Sequence, residues 1–228
     1  MALFRNIKHV ERKVYAHTFL NEIVLFFMYK TIDVSSASAT IEATLSTFKE
    51  ITIARKTENV LMYKDQEAMV SITSNGVLVS LPSREYHDFK TTADLWAHLE
   101  TILNTMRVTP MLWTFTKGNC FIFKHAIPDD KREAACRLVL SAELLSKFND
   151  NDTYAEESTD GSCVFTCRYE LGNADGKAHL NLRIMLTSLS YSLTDIYRQV
   201  MTRNDDMFDC WHWCVSEQVI NLMESKRP

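Results

Sequence analysis

The dipeptide Asn75-Gly76 constrains the fold of this chain more than any other short feature of its sequence. Asn and Gly both tolerate the positive φ angles that a two-residue type I′ turn requires, so this pair is a strong hairpin signal. Alternating side-chain types flank the turn in the sequence AMVSITSNGVLVSL. The pattern predicts an antiparallel β-hairpin over Ala68–Leu81.

The segments around this hairpin predict a strand and two helices. The β-branched and aromatic run over Asn21–Ile32 is typical of a buried strand. Ser35 and Ser36 are candidate caps for a first helix, and Thr91 begins a second one in capping-box spacing with Asp94. The apolar stripes at helical spacing are formed by Ile41, Leu45 and Phe48 in the first helix and by Leu95, Leu99, Ile102, Leu103 and Met106 in the second.

The C-terminal half is expected to repeat this order in a looser form. The segment Cys136–Leu145 fits either a strand or a short helix, and the acidic segment Asn149–Gly161 predicts a solvated loop. The predicted strands are Met111–Phe115 and Cys120–His125, around a Lys117-Gly118-Asn119 turn, and Ser162–Glu170 and His179–Leu189, joined by residues 172–176.

A long helix is predicted over Leu193–Glu224, where apolar residues recur in steps of four and three. The polar interval Arg203–Asp206 indicates a kink or an exposed midpoint within this helix. About 30 helical residues would extend about 45 Å, which is longer than one small domain needs. We therefore expect part of this helix to contact something outside its own domain.

Composition supports a folded chain rich in regular elements. Only 5 Gly and 4 Pro occur among 228 residues, and 46% of the residues are hydrophobic, which excludes disordered and low-complexity classes. With so few glycines, neither a P-loop nor a dinucleotide-binding fingerprint can be built. We expect an α+β fold with two antiparallel sheet regions, each followed by a helix, over residues 1–106 and 107–228. The halves should pack as one compact unit, and a pseudo-duplication would explain their similar order.

The charge distribution bears on partners and location. A net charge of −4, without a run of Lys or Arg longer than pairs such as Arg12-Lys13, argues against a nucleic-acid partner. The apolar run Ile23–Tyr29 is too short to span a bilayer. Basic residues precede it and Ala37-Ser38-Ala39 follows it, as in an exported leader, but polar residues interrupt that pattern. We expect a soluble, cytoplasmic protein without a membrane partner.

Six cysteines raise the question of a metal or redox site, above all in the sequence DCWHWC over residues 209–214. The pairs Cys163/Cys167 and Cys210/Cys214 suggest four zinc ligands. However, positions i and i+4 of a strand lie about 13 Å apart, whereas zinc holds its sulfur ligands at about 2.3 Å. We therefore expect free, buried cysteines in separate sites, with no metal and no cofactor.

Thiolate pairs between cysteine and histidine are the enzymatic alternative. Cys120 could pair with His125, or Cys136 with His179. Sequence alone does not show whether the members of either pair are close in space.

Aromatic residues supply the candidate binding positions. Side chains two residues apart on a helix diverge, so Trp211 and Trp213 cannot both face one core. We expect one of them to be exposed or at a protein interface, and the alternative is two rings half covered by loops. Tyr86, between a strand and a helix, is a third candidate for protein binding, and its alternative role is an aromatic lid over the sheet edge.

The order of these features resembles a sporadically distributed family of uncharacterised bacterial proteins. The resemblance rests on EIVLFFMY, on MYKDQEAMVSITSNGVLVSLPSREYHDF before a helix, and on the closing TDIYRQVMTRNDDMFDCWHWCVSEQVINLME. In outline the family is similar to the SecB-like sheet-and-helix fold, which implies a non-catalytic protein that holds other polypeptides. No functional residue is carried over, because the family has no agreed site.

We therefore expect a non-enzymatic, intracellular protein-binding module that acts as an adaptor or chaperone-like partner in a bacterial accessory system, such as phage defence or toxin control. Its partner would be another protein or a second copy of the chain. One alternative is a hydrolase or transferase with an unrecognised thiol or carboxylate site. Another is a structural or inhibitor subunit encoded by a phage.

Overall fold

The structure is a computed structural model that describes residues 3–11, 15, 18–82, 93–148, 152–189 and 192–224. These residues form nine strands and six helices. The strands are β1 Leu20–Tyr29, β2 Ile51–Lys56, β3 Val60–Asp65, β4 Ala68–Thr73, β5 Gly76–Pro82, β6 Pro110–Ile122, β7 Thr153–Glu157, β8 Val164–Ala174 and β9 Lys177–Leu189. The helices are α1 Val34–Leu45, α2 Ala93–Met106, α3 Arg132–Val139, α4 Ala142–Leu145, α5 Leu193–Cys214 and α6 Glu217–Glu224.

The predicted α+β class is confirmed. The strands form one antiparallel sheet in the order β2-β3-β4-β5-β1-β6-β9-β8-β7, so the predicted partition into two sheet regions is not confirmed, nor is the pseudo-duplication. The chain forms two compact units: Met1–Asn21, Thr116–Leu186 and Thr202–Pro228 make up the first, and Glu22–Phe115 and Thr187–Met201 the second. A division into halves 1–106 and 107–228 stays a prediction.

The predicted hairpin is confirmed, but its turn is not of the predicted type. β4 and β5 pair antiparallel with Ile72 opposite Val77. Neither Asn75 nor Gly76 has a positive φ angle. A Cβ at Gly76 would lie 2.7 Å from the Phe27 carbonyl oxygen, so the glycine is required by close approach and not by turn geometry. Positive φ angles occur instead at Asp175 and Gly176, in the tight turn between β8 and β9.

Local signals also place β1, α1 and α2. β1 confirms the predicted buried strand, and the stripe of α2 is buried at Leu95, Leu99, Ile102 and Leu103. The predicted cap of α1 is wrong, because the carboxylate of Asp33 accepts the backbone N–H groups of Ser35 and Ser36. Thr91, the predicted start of α2, lies outside the described residues.

Two predictions for the C-terminal half are corrected, and one open alternative is resolved. The predicted turn at Lys117-Gly118-Asn119 is absent, because β6 is continuous over Pro110–Ile122 and Gly118 has no positive φ angle. Of the two alternatives for Cys136–Leu145, the structure has the helical one, since α3 ends at Val139 and α4 begins at Ala142. The predicted acidic loop contains β7, which pairs with β8 through Thr153 opposite Arg168, and residues 149–151 of that loop lie outside the described residues.

The predicted long helix is two helices. α5 is continuous through Arg203–Asp206, where a kink or an exposed midpoint was predicted, and Asn204 in this interval is buried. The helix ends instead at Cys214. Val215 forms a β-bridge with Leu140, and α6 begins at Glu217. None of the helices in the described part of the chain is long and apolar enough to cross a membrane.

Candidate protein-binding groove

An apolar groove lies between α3 and α6 in the first unit, and we call it the α3–α6 groove. Its volume is about 200 Å³. It is lined by Phe19, Phe121, Ile122, Phe123, Leu138, Val139, Gln218, Val219 and Leu222. None of these lining side chains carries a charge, and only Gln218 is polar.

Backbone hydrogen bonds hold the two helical walls in place. The Ser141 N–H donates to the Cys214 carbonyl at 2.9 Å, and the Ser216 N–H donates to the Val139 carbonyl at 2.8 Å. The carbonyls at the end of a helix lack partners within the helix, and here the segment after α3 supplies one. The break between α5 and α6 therefore positions the α6 wall of the groove.

Aromatic side chains form the floor. The rings of Phe19 and Phe121 pack with their centroids 4.6 Å apart. The Cys120 N–H donates to the Phe19 carbonyl at 2.9 Å, which ties the segment before β1 to β6. The floor is therefore held by both backbone and ring contacts.

Large exposed apolar side chains are concentrated at this groove. Ile122 is 61% exposed, Leu138 is 49% exposed and Leu222 is 55% exposed. These are three of eight large hydrophobic residues that are exposed in the described part of the chain, and all three line the groove. Single exposed leucines are common on protein surfaces, but a cluster around a concave surface is typical of an interaction site.

The size of the groove limits what it can hold. Pockets for small-molecule ligands have volumes of roughly 300 to 1,000 Å³ and include several placed polar groups. A volume of about 200 Å³ with one polar side chain falls below that range. The groove is better suited to one or two apolar side chains of another macromolecule, which act as anchors at protein interfaces.

A larger cleft, of about 560 Å³, is lined by polar residues that include Arg5, Asn6, Glu156 and Glu157. Both carboxylate oxygens of Glu156 already accept hydrogen bonds, from the Arg5 and Asn6 backbone N–H groups, the Asn6 side chain and the Tyr154 hydroxyl. Burial acts to raise the pKa of Glu156, but these hydrogen bonds together lower it below its usual value. Glu156 therefore fastens the N-terminal segment to β7.

The structure corrects the expectation for the two C-terminal tryptophans. Trp211 is 8% exposed and Trp213 is 9% exposed, so neither indole is on the surface. Their side chains do diverge: the Trp213 ring packs against Tyr154 and Phe165, with centroids 5.4 Å and 6.1 Å away. The Trp211 ring lies 5.8 Å from that of Tyr15.

The N-terminal segment covers the second face of α5. The Val10 N–H donates to Asp209 at 3.0 Å, and the His9 ring lies 3.0 Å from the same carboxylate. Helical spacing alone gave no signal for this cover, because it comes from residues about 200 positions away. Protein binding by Trp211 and Trp213 stays a prediction, and Tyr86 lies outside the described residues.

The cysteines are free, and five of the six are buried. This confirms their role as core residues, but the expectation of separate sites is wrong. The sulfur atoms of Cys167 on β8 and Cys214 on α5 lie 3.6 Å apart. Within the described ranges, no group of three or more His, Cys, Asp and Glu side chains is arranged to hold a metal ion.

Two pairs of side chains bear on the enzymatic alternative. The Cys120 sulfur lies 3.9 Å from His179 Nδ1. Cys120 therefore contacts His179 and not His125, which was its predicted partner, and His179 contacts Cys120 and not Cys136. Burial raises the pKa of Cys120, which disfavours the reactive thiolate. Asp65 lies 2.8 Å from His98 Nδ1, but Asp65 is completely buried and ties β3 to α2.

Comparisons with known proteins give no family. A scan against models of protein families finds no match, and a search of curated proteins finds none. Among solved structures, the chain is similar to an aspartate kinase from Clostridium acetobutylicum that is described as an allosteric enzyme, at 7% identity and a TM-score of 0.21. The match covers 87% of this chain and 36% of the kinase. A TM-score this low carries no conclusion about fold or function.

Proposed function

We propose that the chain is a non-enzymatic protein-binding module whose α3–α6 groove receives apolar side chains of a partner protein. The observation that supports this proposal is the cluster of Ile122, Leu138 and Leu222, each about half exposed or more, around one apolar cavity. An adaptor or chaperone-like role in a bacterial accessory system and a cytoplasmic location belong to the same proposal. Membership of the bacterial family with the SecB-like outline is also part of it.

The occupant that fits the groove best is one face of an amphipathic helix from another protein. Two helices form its walls, and helices present large side chains at i, i+3 and i+4 to such grooves. The lining is uncharged, and the nearby Glu133 and Arg137 neutralise each other at 2.7 Å across one helical turn. The matching face would therefore be apolar and uncharged, with charged residues outside the contact.

A binding measurement with matched variants tests the proposal. A partner is captured from native cells with the tagged chain, identified and purified, and its dissociation constant is measured for the wild type and for Leu222→Glu and Leu138→Glu. A charge in an apolar contact should weaken binding at least about tenfold, as expected for a buried anchor. Leu189→Glu is the control, because Leu189 is 65% exposed and lies on β9 outside the groove.

The outcomes separate the occupants. Equal affinity of the groove variants and the wild type would contradict the proposal. A partner that proves to be a second copy of this chain would replace the proposed occupant, and light scattering of the purified protein detects it. We expect the partner to bind the wild type and the Leu189→Glu variant equally, and to bind both groove variants weakly.

The second candidate function is a hydrolase or transferase that uses a thiol. The contact of the Cys120 sulfur with His179 Nδ1 at 3.9 Å favours it, but burial raises the pKa of Cys120 and so disfavours the thiolate that such an enzyme needs. Alkylation with iodoacetamide separates the two functions. One fast cysteine that slows in His179→Ala would support the enzyme, whereas slow labelling of Cys120 supports the binding module.

A further inference from the structure

Four of the six cysteines lie along one line of contact between β8 and α5. Cys163 directly precedes β8, Cys167 lies within it, and Cys210 and Cys214 are one turn apart on α5, where i and i+4 share a face. The Cys167 and Cys214 sulfurs are 3.6 Å apart, and both residues are completely buried. The pairing joins positions 47 residues apart in sequence.

We propose that Cys167 and Cys214 form a reversible disulfide that fastens β8 to the C-terminal end of α5. The two sulfurs already face each other, and a bond of about 2.05 Å requires them to approach by about 1.5 Å. No other pair of sulfur atoms in the described residues forms such a contact.

Electrostatics favour a disulfide over a metal bound by the same two sulfurs. Burial raises the pKa of Cys214 well above its usual value, and contact with Cys167 raises it further. The groups that act on Cys214 are cysteines, with no cation among them. Two thiolates on a monovalent soft metal would leave a net negative charge in this core, which is costly. A disulfide is neutral and needs no compensating charge.

The oxidant is a low-molecular-weight disulfide, such as oxidised glutathione. One thiolate of the pair attacks a sulfur of the oxidant, forms a mixed disulfide and expels one glutathione thiolate. The second cysteine thiolate then attacks the protein sulfur of that mixed disulfide and expels the second glutathione thiolate. The two cysteine protons end on the two glutathione molecules, so the protein loses two electrons and the oxidant gains them.

Burial makes this reaction conditional on local opening. Neither sulfur is reachable by glutathione in the closed structure, and a raised pKa keeps the thiolate fraction small. The C-terminal end of α5 must separate from β8 for the first attack, by local unfolding. The oxidation is therefore slow in the folded protein, and its rate depends on how often the C-terminal end of α5 separates from β8.

The disulfide would also act on the α3–α6 groove. The carbonyl of Cys214 accepts from the Ser141 N–H, and the next residue, Val215, pairs with Leu140. A covalent bond at Cys214 thereby restrains the junction that positions α6. This consequence rests on the proposed protein-binding function of the groove, whereas the disulfide itself does not.

The test is oxidation of the purified full chain with oxidised glutathione, followed by alkylation of the remaining thiols and mass spectrometry. Trypsin alone leaves Cys163 with Cys167, and Cys210 with Cys214, on single peptides, so chymotrypsin is added to cut after Phe165 and Trp213. We expect a reducible cross-link between the peptide of Cys167 and the peptide of Cys214. It should be absent in Cys167→Ser and in Cys214→Ser, and present in Cys163→Ser and Cys210→Ser.

Oxidation that yields only glutathione adducts, or a cross-link between other cysteines, would overturn the proposal. Circular dichroism of each variant checks that it is folded, and Cys167→Ala and Cys214→Ala replace any serine variant that is not. Hydrogen exchange then tests the effect on the groove. The amides of α6 should exchange at least about threefold more slowly in the oxidised protein, and unchanged exchange would remove the link to the groove but leave the disulfide intact.

Discussion

Ser216 donates its backbone N–H to the Val139 carbonyl at 2.8 Å, and its hydroxyl donates to the carbonyl of Leu138 at 2.6 Å. One residue at the start of α6 thus bonds twice to the end of α3. Ser216 also stands at the N-cap position, and its hydroxyl oxygen accepts the Val219 N–H at 3.4 Å. These bonds tie the start of α6 to the end of α3, the two helices that form the walls of the groove.

Ser216→Ala should lower the free energy of unfolding by about 1 kcal/mol, the usual effect of losing a capping hydroxyl. Urea denaturation followed by circular dichroism measures the change. Ser216→Thr keeps the hydroxyl and should stay closer to the wild type. Equal stability of the alanine variant and the wild type would mean that the hydroxyl does not fasten α6 to α3.

Trp213→Ala should lower the free energy of unfolding by about 3 to 5 kcal/mol, because it empties a buried site between Tyr154 and Phe165. Trp213→Phe should lower it far less. The indole Nε1 of Trp213 is buried and has no hydrogen-bond partner, so phenylalanine removes no hydrogen bond. A small effect of the alanine variant in urea denaturation would contradict the burial of this ring.

Asp65→Ala should lower the free energy of unfolding by roughly 3 kcal/mol or more, since it leaves the buried partner of a short contact unpaired. Asp65 lies 2.8 Å from His98 Nδ1, and that ring packs on Phe48 with centroids 4.1 Å apart. Asp65→Asn preserves the volume and an acceptor for His98, and we expect a smaller loss. Thermal unfolding of the two variants compares them, and a larger loss in the asparagine variant would count against this arrangement.

Stability should fall in acid partly through Glu156. Its folded pKa is below its usual value of 4.5, so its contribution is complete above pH 4.5 and is lost as the pH falls through the folded pKa. Glu156→Gln should therefore be less stable than the wild type at neutral pH and should show a shallower decline in acid. Urea denaturation at a series of pH values from neutral downward measures how steeply the free energy of unfolding declines in the wild type and in Glu156→Gln.

The control for that experiment is Glu157→Gln, which alters the exposed neighbour and keeps all four hydrogen bonds to Glu156. It should retain the slope of the wild type. If Glu156→Gln and the wild type declined in parallel, the hydrogen bonds from Arg5, Asn6 and Tyr154 would not be important for stability.

Elements with strong local signals could be predicted from the sequence. The alternation around Asn75-Gly76 predicted β4 and β5, and the β-branched run predicted β1. The apolar stripe predicted α2, because the spacing of apolar residues along one face of a helix can be read within the segment itself. The α+β class follows from these elements alone.

Features set by distant partners could not be predicted. The break after Cys214 depends on carbonyl and amide groups at residues 139–141, and the burial of Trp211 depends on Tyr15. The contact of Cys167 with Cys214 joins a strand to a helix, which no spacing within either element reveals. The groove could not be predicted either, because its lining comes from four separate segments of the chain.

Site-specific photo-crosslinking in native cells tests most directly whether a partner protein occupies the α3–α6 groove, as we propose. A benzoylphenylalanine placed at Leu222 should form one protein adduct of defined mass, and the same residue at Leu138 should capture the same protein. The control at Leu189, which is more exposed but outside the groove, should not capture it. Absence of an adduct at both groove positions, or an identical adduct at Leu189, would contradict the account.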